Sequence, residues 1–184
     1  MKFNYYALRA IYLHEMDRFR RTLIQSLLSP VLSTSLYFIV FGSVIGDFVN
    51  NIDGISYGSY IVPGLLMLTL LTQSISNTSF GIFFPKFNGT IYEILAAPIS
   101  SFEVVLAYVG AGATKTLMVG VVIFITSLFF TDVSVKYPLL MIFLLVLVSF
   151  TFALFGFLIG VLSKNFEQMS IIPTIVITPM VFLG

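Results

Sequence analysis

Between two long apolar runs lies the segment KFNGTIYEILAAPISSFE, residues 86–103. It is short and moderately polar, and its residue types permit a helix. A segment of this kind is too short to form a domain, so we expect it at one surface of a membrane. There it either contacts something outside the membrane or serves as a connector that lies on the surface.

The composition of the whole chain is that of an integral membrane protein. Apolar residues make up 58% and charged residues 9%, whereas soluble domains carry roughly 25% charged residues. The net charge of +1, without a basic cluster among aromatics, argues against nucleic acid as a partner. The absence of cysteine excludes disulfides and thiolate metal sites.

Apolar runs predict an all-α polytopic bundle in which residues 1–184 form a single transmembrane domain. Because a span needs about 20 mostly apolar residues, we expect five spans at residues 23–46, 60–84, 108–131, 138–162 and 169–184. The last run is short and contains two prolines. We therefore expect a chain truncated at its C-terminus, with five of six spans visible; the alternative is a naturally short five-span protein.

The placement of basic residues predicts the orientation. With alternating spans, eight of the nine Lys and Arg residues fall on or near one side, and only Lys136 falls on the other. Basic residues favour the cytoplasmic side, so the N-terminus and residues 86–103 are expected to be cytoplasmic.

Residues 1–22 predict an amphipathic helix in the cytoplasmic headgroup layer, next to the bilayer. Its apolar stripe consists of Tyr5, Leu8, Tyr12, Met16 and Phe19, and its polar face of His14, Asp17, Arg18 and Arg21.

Catalytic and cofactor-binding motifs are missing from the sequence. The stretch GAGATKT, residues 110–116, lacks the second glycine of a phosphate-binding loop, since Thr114 precedes Lys115. His14 is the only histidine, so no pair of histidines can bind a metal. The acidic residues near the span ends occur singly and form no catalytic set. We expect no enzymatic activity, no metal and no cofactor on this chain.

Polar residues inside the spans are candidates for a substrate path. Gln73 and Asn77 share a face of the second span with Thr69 and Ser76, and an amide in hydrocarbon needs a partner. The face forms either interhelical hydrogen bonds or one wall of a path. For Lys115, the simplest expectation is that its amine reaches back to the headgroups. The alternative is that it attracts an anionic lipid or substrate.

Small residues four apart allow helices to approach closely in lipid. They occur as Gly42 with Gly46, Gly112 with Thr116, and Gly156 with Gly160. Packing within one bundle and a homodimer seam are both consistent with the pattern.

Pro173 and Pro179 interrupt the hydrogen-bond ladder of the last run, beside Thr174 and Thr178. The pattern predicts a kinked or interrupted helix. That helix either forms part of a gate or has a purely structural kink.

Within residues 86–103, Pro98 ends a helix predicted to have two or three turns. Tyr92, Glu93 and Leu95 precede it and combine apolar side chains with a carboxylate. A helix of this kind can seat in a groove of a soluble partner.

The chain resembles, over its whole length, the permease subunits of type-2 ABC exporters. The motifs are YIVPG at 60–64, YEILAAPIS at 92–100, YVGAG at 108–112, FEQMSIIPT at 166–174 and TPMVFLG at 178–184. The Glu-x-Leu-x-x-Pro pattern and the Ile-Pro-Thr…Thr-Pro ending are the specific parts.

This resemblance implies a multi-pass inner-membrane permease that exports a lipid, polysaccharide or drug-like substrate. It further implies a second permease copy, a homodimer being the expected arrangement, and an ATP-binding subunit that hydrolyses ATP and docks on Tyr92, Glu93, Leu95 and Pro98. Two other interpretations of the sequence remain: a stand-alone channel or secondary carrier, and a structural membrane-assembly subunit.

Overall fold

The computed structural model describes residues 3–45, 56–131 and 133–183, without the side chains of residues 42–45 and 181–183. Within these ranges every regular element is a helix, which confirms the all-helical prediction. In chain order the elements are α1 Tyr5–Arg21, α2 Leu23–Tyr37, a π-helical segment Phe38–Ile45, α3 Tyr57–Asn88, α4 Ile91–Ala96, α5 Ser101–Phe130, α6 Pro138–Leu162 and α7 Phe166–Leu183.

Four stretches of the described chain are helical, long and apolar enough to cross a membrane: Leu23–Phe41, Tyr57–Asn88, Ser101–Phe130 and Pro138–Leu162. At about 1.5 Å per residue, α3 and α5 exceed the roughly 30 Å of the hydrocarbon layer, so both extend beyond it. The predicted fifth span coincides with α7, which is not one of these four. That α7 crosses the membrane stays a prediction.

The turn after α3 and the start of α5 define the segment that carries α4. Gly89 ends α3 with a φ of 80°, in the left-handed region that favours glycine. Ser100 caps α5 in a capping box, because its side chain accepts from the backbone of Glu103 while the Glu103 side chain accepts from the backbone of Ser100. Both ends of the segment are therefore tied to long helices.

Small residues let α5 and α6 approach the central helix α3. A Cβ added at Gly156 would lie 2.5 Å from the carbonyl oxygen of Ile75, and one at Gly160 would lie 2.5 Å from that of Ser79. A Cβ at Gly112 would collide with the Thr78 side chain. The pairs Gly112–Thr116 and Gly156–Gly160 are therefore used within the bundle. The pair Gly42–Gly46 lies outside the described side chains.

Helix α1 packs along the first half of α5, and four of the five residues of the predicted apolar stripe are buried or half-buried. Tyr5 is the exposed member of that stripe, and Glu15, which the prediction assigned to neither face, is buried. Arg18, assigned to the polar face, is half-buried. Glu15 and Arg18 depart from the predicted pattern because an ion pair with Lys115 of α5, invisible in the local pattern, draws Glu15 inward. The position of α1 in the headgroup layer stays a prediction.

Candidate functional site

The exposed face of α4 carries the residues predicted for partner contact. Tyr92 is 72% exposed and Leu95 67% exposed, and Glu93 and Pro98 are exposed as well. Helix α4 spans six residues, fewer than two turns, so the predicted length of two or three turns was wrong. The helix is short because Gly89 and Pro98 bound it closely.

The opposite face of α4 is anchored to the bundle. Ile91, Ile94 and the following Ile99 pack against a buried cluster formed by Ile82 of α3 with Val104 and Tyr108 of α5. A displacement of α4 would therefore be transmitted to two long helices through close-packed side chains.

Hydrogen bonds link the start of α1 to the same segment. The Asn4 backbone N–H donates to Oε1 of Glu103, whose Oε2 accepts from the backbone N–H of Ser100 at 2.7 Å. The Asn4 side-chain amide donates to the Pro98 carbonyl at 3.3 Å. One carboxylate thus joins the starts of α1 and α5 beside α4.

The last turns of α3 hold the neighbouring ends of α6 and α7. The Lys86 amine donates to the carbonyls of Val161 and Ser163 at 2.5 and 2.8 Å, at the C-terminal end of α6 where a cation is favoured. The Phe166 ring lies against Phe83 and Phe87, at centroid distances of 4.9 and 4.8 Å. The C-terminal ends of α3 and α6 and the start of α7 therefore meet.

A cavity of about 700 Å³ lies between α1, α2, α3, α5 and α7, and we name it the α3–α7 cavity. Its wall is mixed, with hydroxyls and one amide among apolar side chains. The lining residues are Arg18, Phe19, Thr22, Ser26, Thr72, Ser76, Asn77, Ser79, Phe80, Lys115, Met169, Ser170, Pro173, Thr174, Ile177 and Thr178.

The two predicted path residues line different spaces. Asn77 lines the α3–α7 cavity, whereas Gln73 lines a smaller one of about 250 Å³ between α2 and α3. Both are half-buried, and the Asn77 amide donates to Gln73 Oε1 at a long 3.5 Å. Thr72 lines both cavities and therefore lies at their shared wall. The Asn77–Gln73 bond lies within α3, so it is not one of the predicted interhelical hydrogen bonds, and a role of either amide in a substrate path stays a prediction.

The prolines of α7 do not interrupt it, because α7 is helical from Phe166 to Leu183. Of the two predicted forms, the interrupted helix is therefore wrong, and the kinked helix stays a prediction. Pro173 is buried against the α3–α7 cavity, whereas Pro179 is exposed. The Thr174 hydroxyl donates to the Ser170 carbonyl at 2.9 Å and so adds a local bond in the weakened turn. Participation of either proline in a gate stays a prediction.

A buried ionic cluster joins α1 to α5. Glu15 Oε2 lies 2.7 Å from Lys115 Nζ and 2.9 Å from an Nη atom of Arg18. The side chains of Glu15 and Lys115 are 3% and 4% exposed, and that of Arg18 is 29% exposed. Two cations share one carboxylate, which leaves one positive formal charge. The expectation that Lys115 reaches back to the headgroups was therefore wrong, because its amine ends on Glu15.

Sequence reasoning missed Glu15. The signal was present, since an ionisable residue within a span is expected to pair with another, and Lys115 required a partner. Helical spacing places Glu15 beside Tyr12 and Phe19 of the apolar stripe, but one hundred positions separate it from Lys115. No local pattern links the two residues.

Nearly the whole chain matches a known protein family. Residues 6–184 match the family profile described as ABC-2 type transporter. The chain belongs to the ABC-2 type transporter family.

Relatives of this family member span most of the chain. Inner membrane transport permease YadH of Escherichia coli (strain K12) is 38% identical over 184 residues, which are 100% of this chain and 72% of YadH. Nodulation protein J of Rhizobium meliloti (strain 1021) is 27% identical over 169 residues, 90% of this chain and 63% of that protein. No solved structure matches the chain.

Family membership confirms the resemblance drawn from the sequence motifs. Together with the four apolar helices, it identifies a multi-pass membrane protein that serves as a membrane transport subunit.

Proposed function

We propose that this chain is the transmembrane permease subunit of an ATP-driven exporter in the inner membrane. ATP hydrolysis takes place on a separate ATP-binding subunit, and two permease copies form the pathway. Family membership supports the ATP-binding partner, and the name of the relative YadH supports the inner membrane. The substrate class, a lipid, polysaccharide or drug-like molecule, is carried over from the resemblance.

One observation carries this proposal furthest: α4 exposes one face and packs the other. Tyr92 and Leu95 are large apolar side chains left uncovered beside the Glu93 carboxylate. Exposed aromatic and apolar groups with a charge at their edge are typical of protein contact sites. The packed face leads to α3 and α5, so a push on α4 becomes a rigid-body shift of both helices.

The α3–α7 cavity is the proposed substrate path on this chain. A volume of about 700 Å³ falls in the range of small-molecule sites, roughly 300–1,000 Å³. Asn77 supplies an amide to its wall, and Pro173 places a weakened turn of α7 beside it. Bending at that turn would change the width of the cavity.

Copurification tests the proposal directly. We expect the full-length protein, extracted from its native membranes in mild detergent, to bring along a soluble ATPase at roughly one copy per permease. Glu93→Arg and Leu95→Asp should each remove that ATPase, because they alter the exposed face of α4 without touching its packed face. Quantitative mass spectrometry of the eluate measures the ratio.

Asp17→Arg is the matched control, because it makes the same charge change at an exposed residue of α1. It should retain the ATPase. Absence of any ATPase from the wild-type eluate would instead favour a secondary carrier or an assembly subunit. Equal retention by Glu93→Arg, Leu95→Asp and Asp17→Arg would exclude α4 as the docking site.

A further inference from the structure

The charged side chains that line the α3–α7 cavity are both cations. Arg18 and Lys115 face this space, whereas Glu15, their shared partner, is not among its lining residues. An object in the cavity therefore meets the two cations before it meets the carboxylate behind them.

The cluster is undercompensated within the described structure. One carboxylate oxygen, Glu15 Oε2, receives both cations, so a single negative charge faces two positive ones. Burying an unbalanced charge in a low-dielectric region is costly unless a counter-charge is supplied. Arg18 and Lys115 each make one contact with Glu15. A guanidinium carries five N–H donors and an ammonium three. Donors and charge are thus left for a ligand.

The other residues that line the cavity indicate which chemical groups the remainder of that ligand carries. Phe19, Phe80, Met169 and Ile177 give the cavity an apolar surface, while Asn77 and Ser170 supply neutral polar groups. The Arg18 guanidinium itself lies over the Phe80 ring, 5.5 Å from its centroid, so apolar wall and cations adjoin.

We propose that the α3–α7 cavity binds an amphipathic anion, with a phosphate or similar head group on Arg18 and Lys115 and an apolar chain along the Phe80 side. Guanidinium suits this role because its planar fork matches phosphate oxygens. The inference rests on the proposed function only in taking this ligand to be the transported substrate. Binding itself requires neither ATP hydrolysis nor a partner chain.

The absence of native cysteine makes a site-specific electrostatic test possible. Ser170→Cys places a thiol in the cavity wall, and Ser134→Cys places one at an exposed residue outside it. The full-length protein in lipid nanodiscs is labelled with anionic sulfonatoethyl or cationic trimethylammonioethyl methanethiosulfonate. The anionic-to-cationic rate ratio at Ser170→Cys, divided by that at Ser134→Cys, reports the local charge.

We expect this normalised ratio to be about ten, since the excess positive charge of Arg18 and Lys115 attracts the anionic reagent at an effective dielectric below that of bulk water. Arg18→Gln leaves the neutral Glu15–Lys115 pair and should return the ratio to near one, whereas Arg18→Lys should preserve it. Glu15→Gln should raise it further. A ratio near one in the wild-type background, or one unchanged by Arg18→Gln, overturns the proposal, and neither result depends on Glu15→Gln folding.

Protection of Ser170→Cys from labelling then tests the ligand class. Dodecyl phosphate should slow labelling saturably, and the protection should be lost in Arg18→Gln but kept in Arg18→Lys. Equal protection by inorganic phosphate at the same concentration would mean that the site binds the free anion. It would overturn the proposal that the ligand also carries an apolar chain. Equal protection by neutral dodecyl maltoside would overturn the role of charge. Copurification of the ATPase is unaffected by either result, so failure here leaves the exporter proposal standing.

Discussion

Two carboxylates, Glu93 on α4 and Glu15 on α1, show how differently the same group is used in this chain. Glu93 is exposed on a six-residue helix, flanked by Tyr92 and Leu95. Glu15 is buried and bridges α1 to α5 through Lys115. The exposed carboxylate belongs to a surface that local sequence describes. The buried carboxylate is stabilised inside the bundle by its contact with Lys115, which lies one hundred positions away in the sequence.

The largest expected effect concerns the buried carboxylate. Glu15→Ala leaves the Lys115 ammonium buried without its partner, which typically costs about 3–5 kcal/mol. We expect the purified variant to unfold at a much lower dodecyl sulfate fraction in mixed micelles. Glu93→Ala is the matched control and should unfold as the wild type does. Equal unfolding midpoints for the two variants would show that buried Glu15 contributes no more to stability than exposed Glu93.

A second effect tests whether the interior around α3 is as tight as the glycine contacts indicate. Gly156→Ala forces a Cβ to within 2.5 Å of the Ile75 carbonyl oxygen, so backbone must shift, at a cost of about 1–3 kcal/mol. Gly64→Ala is the control, because its added Cβ meets nothing within 4 Å. It should be neutral or slightly stabilising, since alanine favours helix. Unfolding midpoints compare the two, and a tolerated Gly156→Ala would contradict close α3–α6 packing.

A smaller effect is expected at the start of α1, between the buried and exposed regions. Asn4 caps α1 by accepting from the Ala7 backbone N–H at 3.2 Å, and its amide also donates to Pro98. Asn4→Ala should lower the unfolding free energy by about 1 kcal/mol, the usual value of a helix cap. Asn4→Asp, which keeps the cap, should retain most of that free energy.

The smallest effect on stability belongs to the α4 surface itself. Glu93→Arg should change the unfolding free energy by no more than about 0.5 kcal/mol, as is usual for an exposed side chain. Substrate-stimulated ATPase activity and transport in reconstituted vesicles should nevertheless fall together. A Glu93→Arg variant that is stable and fully active would separate α4 from coupling.

Local pattern identified the fold class and much of the α4 surface. The apolar runs around residues 23–46, 60–84, 108–131 and 138–162 each became long helices, because a span is dictated by its own composition. Pro98 marked the end of α4 in the sequence, whereas the turn at Gly89 that precedes α4 was recognised only in the structure. What failed was finer: the length of α4, the inward positions of Glu15 and Arg18 on α1, and an interruption of α7 at its prolines.

The sequence by itself determined a helical membrane bundle with a short exposed segment between its second and third long helices, since both follow from hydropathy and from local turn residues. Helical spacing already places Arg18 beside Glu15 on α1. Tertiary structure alone decided that Lys115 meets them and that the two cations face a cavity also lined by α7. The physical reason is the range of the interactions. Hydrophobic transfer and turn geometry act on neighbouring residues, whereas a buried charge selects its partner from any helix that packing brings within about 3 Å.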